Sequence, residues 1–71
     1  MIEVFKTNIV YAGQETPILL ELGMLLPHHK INFDLEDCDK ILRIESERFD
    51  PLAVMEVLRE NNLVCVRLER E

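Results

Sequence analysis

Two alternating apolar runs flanking a short acidic knot, INFDLEDCDKILRIE from Ile31 to Glu45, constrain this chain more than any other stretch. Period-two alternation on both sides of a compact turn predicts a β-hairpin. Ile31, Phe33 and Leu35 on the first strand share a face with Leu42 and Ile44 on the second, so the hairpin supplies much of one core face. Inward residues are odd-numbered before the turn and even-numbered after it, so the register needs a loop with an even number of residues. Phe33 opposite Leu42 and Leu35 opposite Lys40 meets that need, with Glu36-Asp37-Cys38-Asp39 as the turn.

Upstream, Ile2 to Lys6 alternates as a strand with Ile2 and Val4 inward and Phe5 on the other side. Thr7 to Gln14 forms a loop, and Glu15 to Leu26 takes helical spacing through Ile18, Leu19, Leu22, Leu25 and Leu26. Two starts suit this helix: Thr16 as N-cap with Pro17 at the first position, or a start near Gly13 with Pro17 inside the first turn. Pro27 ends it, and His28-His29-Lys30 leads into the hairpin. Downstream, Asp50-Pro51 begins a second helix, whose buried stripe is either Leu52, Met55 and Leu58 or Ala53, Val54, Val57 and Leu58. Asn61-Asn62 supplies its left-handed C-terminal residue. Leu63 to Leu68 is the last strand, with Val64, Val66 and Leu68 on one face and Cys65, Arg67 and Glu69 on the other.

The order β-α-β-β-α-β with right-handed crossovers places the first and third strands at the centre of a four-stranded antiparallel sheet. Both helices then cover one face. The other stays open, carrying Glu3, Phe5, Asn32, Asp34, Ile41, Arg43, Cys65 and Arg67.

With 71 residues the chain makes one domain, 1–71, near the small end of what a single core supports, and a dimer would help it. The net charge of −6 opposes binding to nucleic acid or to anionic lipid. The apolar run Ile18 to Leu26 is broken by Glu21 and Gly23 and is too short to span a bilayer, so no membrane partner is expected. Cys38 and Cys65 are too few for a disulfide framework; free thiols and a cytoplasmic location are the expectation.

The opening strand MIEVFKTNI, the helix ILLELGMLL, the hairpin, the helix DPLAVMEVLRENN and the closing strand LVCVRLE together resemble the heavy-metal-associated domains. That family includes copper chaperones and the N-terminal modules of metal-transporting ATPases. The resemblance covers almost the whole chain and implies an α+β fold, the ferredoxin-like βαββαβ sandwich. The family's CxxC motif, which binds a soft metal between the first strand and the first helix, has no counterpart in the loop TNIVYAGQ, so its function passes to no residue here.

Chemistry-bearing residues are few. Following the strands places the 7–14 loop, the acidic turn and Asn61-Asn62 at one end, with Cys38 near where the missing motif would sit. Cys38 with Asp37 and Asp39 is the candidate metal set, although carboxylates are hard donors poorly matched to a soft ion. His28 and His29 point to opposite sides of an extended chain, and the acidic cluster lacks the glycine and distal glutamate of an EF-hand loop. No nucleophile with a base, no phosphate loop and no cofactor motif is present, so no enzyme is expected. The third strand, KILRIE, has no aromatic residue on which a base could stack. The remaining expectation is a non-catalytic interaction module, a homodimer, with Phe5, Ile41, Cys65, Leu20 and Met24 at its interface because one small core has no room for them.

Overall fold

The computed structural model describes residues 2–26, 29–46 and 49–68. Its elements are β1 (Ile2–Thr7), α1 (Thr16–Leu25), β2 (Lys30–Asp34), β3 (Ile41–Glu45), α2 (Pro51–Glu60) and β4 (Cys65–Leu68). They form an α+β fold with one four-stranded antiparallel sheet in the order β2-β3-β1-β4, so the first and third strands are central and β2 and β4 are the edges.

The hairpin takes the register its alternation requires: Phe33 lies opposite Leu42, and Ile31 opposite Ile44. Its turn is held by short local bonds. The Lys40 amide donates to the Asp37 carbonyl at 3.0 Å, and the Asp39 amide to the Asp37 carboxylate at 2.8 Å. Lys40 adopts a left-handed φ of 48° and sends its ammonium to the Leu35 carbonyl at 2.8 Å. That bond offsets part of the backbone cost a side chain incurs in this region.

α1 begins between its two sequence alternatives, with Glu15 at the N-cap, no side-chain cap, and Pro17 in the first turn. The missing proline N–H falls among amides that have no intrahelical partner anyway. Ile18 and Leu22 are buried, whereas Leu25 is 48% exposed. At α2 the Asp50 carboxylate accepts the Leu52 amide at 2.9 Å with Pro51 first in the helix, as the sequence predicts. The buried stripe is Val54, Val57 and Leu58; Leu52 turns outward. Asn62 takes the left-handed conformation, φ 62°, that ends the helix. The readings of Pro27, His28 and Glu69 lie outside the described residues.

Residues from both helices join Phe5, Leu42, Ile44 and Cys65 in a single core, to which the loop residues Ile9 and Leu63 also contribute. Directly opposed residues in a sheet share a face. Phe5 lies opposite Leu42 and Arg67, Glu3 opposite Ile44, and Thr7 opposite Cys65. The faces of β1 and β4 are therefore the reverse of the sequence expectation: Glu3, Phe5, Thr7, Cys65 and Arg67 face the helices, and Val4, Lys6, Val66 and Leu68 face the open side.

The reason is energetic. Phe5 carries the largest apolar surface on β1 and is completely buried, while Ile2 is left half exposed. The same choice brings Glu3 inside, where a bare carboxylate would be costly. Arg67 relieves that cost with a two-pronged bond, Nε to Oε1 at 2.5 Å and Nη2 to Oε2 at 2.9 Å. Phe5 and Cys65 are thus core residues and offer no open-face contact surface.

Candidate functional site

The β1–α1 loop, the hairpin turn and the start of β4 converge at one end of the sheet. Thr7 ties the first two together: its amide donates to the Asp39 carbonyl at 3.1 Å and its hydroxyl to the Lys40 carbonyl at 2.6 Å. Asn8 ties in the third by accepting the Val64 amide at 2.9 Å. The loop is braced from within, since Gln14 Oε1 accepts the amides of Val10 and Tyr11 and Glu15 accepts that of Gly13. Gly13 has φ 100°, where a side chain would be strained. Between loop and hairpin lies a cavity of about 180 Å³ lined by Ile9, Val10, Tyr11, Ala12, Leu35 and Lys40.

At the tip of this end stand Asp37, Cys38 and Asp39, whose potential ligand atoms all lie within 4.8 Å of one another. These are the three residues singled out from the sequence. The fold itself already uses part of their donor capacity: Asp37 accepts the Asp39 amide, and Asp39 lies 3.5 Å from the Lys6 ammonium. One thiol with two such carboxylates is a mixed hard and soft donor set. His29 belongs elsewhere, just before β2, where its ring meets Phe49 edge-on with centroids 5.9 Å apart.

The two thiols differ in setting. Cys38 is exposed, whereas Cys65 is buried and its burial pushes its pKa up. A thiol reagent at mildly alkaline pH is expected to modify Cys38 quickly and Cys65 only after denaturant is added; rapid reaction of both in the native protein would place Cys65 on an open face after all. The sign for stability follows from the same shift. Below the ordinary thiol pKa both states keep the proton; above it the unfolded chain loses its proton first, so Cys65 lowers stability as pH rises until the folded thiol titrates as well.

Of the residues expected at an interface, Leu20 and Met24 are 67% and 84% exposed on α1, and Ile41 is half-buried on the open face. The reversed parity of β4 adds Val64 and Val66, which the sequence reading turned inward. Val64 also borders a groove of about 410 Å³ between α2 and β4, lined by Leu52, Met55, Leu63 and Cys65 with Glu56 and Arg59 at its rim. Among the described residues no helix is long and apolar enough to cross a membrane. The chain matches no family model, no curated protein and no solved structure.

Proposed function

We propose that this chain is a non-catalytic interaction module of the ferredoxin-like class that works as a homodimer. The observation that carries this reading is the amount of large apolar surface outside a core that is already filled: Leu20, Met24, Leu52, Val64 and Val66 are each more than half exposed. Covering such side chains with a partner removes apolar area from water. The engagement of polar side chains supports it too. Thr7, Asn8, Gln14 and Asp50 bond backbone groups that hold loops and helix ends, which is structural work. Light scattering behind a sizing column tests the reading, with an expected mass that rises toward two chains as loading concentration increases.

A second reading, a metal or redox module related to the heavy-metal-associated domains, is favoured by the closeness of Asp37, Cys38 and Asp39. Titration with Cu(I) and Zn²⁺ before and after Cys38→Ser decides it. Binding that Cys38→Ser abolishes supports this reading; no binding, or binding that the substitution leaves unchanged, removes Cys38 from it.

A further inference from the structure

β2 is an outer strand of the sheet, and its five residues, Lys30-Ile31-Asn32-Phe33-Asp34, complement their own reverse. Set antiparallel to a second copy about Asn32, the strand brings Lys30 opposite Asp34, Ile31 opposite Phe33, and Asn32 opposite itself. We propose that two copies of this chain dimerise by joining β2 to β2 in this register. The proposal rests on the homodimer reading above and places its contact at the β2 edge, through Ile31 and Phe33, with Val64 and Val66 at the opposite edge of the sheet and outside it.

The backbone is oriented for it. In an antiparallel ladder the amides of successive residues point alternately to the two sides. The Thr7 amide points to the β3 side of β1, toward Asp39, and the Val64 amide to the β1 side, toward Asn8. Carried through the observed registers, the alternation turns Lys30, Asn32 and Asp34 toward β3 and leaves the amides and carbonyls of Ile31 and Phe33 facing outward. A twofold axis through Asn32 makes Ile31 of one copy and Phe33 of the other a hydrogen-bonded pair, so every outward group within the strand finds a partner.

The side chains agree. Ile31 and Phe33 lie on the helix side, half-buried against the core, and each would cover the other's exposed flank. Lys30, Asn32 and Asp34 are exposed on the open side, where an ammonium meets a carboxylate on either side of the axis. Local complementarity matters because a chain with net charge −6 repels its own copy. Other registers lose this match: centring on Phe33 sets Ile31 and Lys30 against Leu35 and Glu36, which have left the strand. The opposite edge, β4, carries one charge, Arg67, already forked to Glu3 of its own chain.

The test uses the full chain in a Cys38→Ser background, so that the exposed native thiol does not cross-link. Opposed residues in a non-hydrogen-bonded pair have Cα atoms about 4.5 Å apart, within disulfide range. Asn32→Cys is expected to form a covalent dimer under mild oxidation, while Val66→Cys on β4 stays a single chain. Lys30→Asp and Asp34→Lys should each raise the dimer dissociation constant about tenfold by placing like charges opposite each other, and the double reversal should return it to within about threefold of the parent. All three positions are exposed, so circular dichroism should show each variant folded. A dimer that ignores the charge reversals, fails to cross-link through Asn32→Cys, or cross-links through Val66→Cys overturns the β2 proposal and leaves the homodimer reading standing. A parent chain that stays monomeric at all concentrations overturns both.

Discussion

Replacing Phe5 with alanine should leave the chain largely unfolded at room temperature. Phe5 is completely buried at the centre of the sheet, opposite Leu42 on β3. Truncating a buried phenylalanine costs about 3–5 kcal/mol through lost transfer energy and the cavity left behind. A domain this small has a total stability of only about 3–5 kcal/mol from its core. Urea denaturation followed by circular dichroism measures the outcome, with Ile2→Ala, half exposed on the same strand, as the reference expected to change stability by less than about 1 kcal/mol. Had Phe5 faced the open side, the two substitutions would cost similar amounts. Equal effects would therefore contradict the strand orientation described above.

The second large effect is expected at Leu42. This side chain lies between two aromatic rings, opposite Phe5 on β1 and opposite Phe33 on β2, and is wholly buried. Leu42→Ala should cost about 2–5 kcal/mol, toward the upper end because strands on both sides hold the walls of the cavity apart. Ile41, one residue earlier, points to the open face and is only half-buried. Ile41→Ala should cost about 1 kcal/mol or less. The contrast between neighbouring positions reads the pleat of β3 directly. Comparable losses at both would mean that the open face is covered as fully as the helix face.

The two hairpin strands were legible because each has only one apolar parity. On β2 the odd residues Ile31 and Phe33 alternate with Lys30, Asn32 and Asp34, and on β3 Leu42 and Ile44 flank Arg43. The caps of α2 were equally readable, since Asp50-Pro51 and Asn62 act through backbone preferences that need no tertiary context, whereas α1 starts from Glu15 and neither alternative named it.

β1 was not legible in the same way. Its even residues offer two aliphatic side chains, whereas its odd residues offer one ring and a carboxylate, and a local reading favours the first set. What decides between them is Arg67, 64 residues away, whose guanidinium makes the inward Glu3 tolerable. β4 errs with it, since Val64, Val66 and Leu68 look like a core stripe until Cys65 and Arg67 are seen opposite Thr7 and Phe5. The size of Phe5 was the one local sign of the true orientation. At the candidate site, the grouping of Asp37, Cys38 and Asp39 follows from adjacency in the turn and was readable. The bonds from Thr7 to Asp39 and Lys40, which bring the β1–α1 loop against that turn, depend on the strand order and were not.

The central claim is that two copies of this chain associate. Sedimentation equilibrium of the full chain tests it most directly. The account predicts a mass that moves from one chain of 8.4 kDa toward twice that value as concentration rises, with a midpoint in the micromolar range, about −8 kcal/mol of association free energy. A single-chain mass persisting to several hundred micromolar, an association weaker than about −5 kcal/mol, would contradict it.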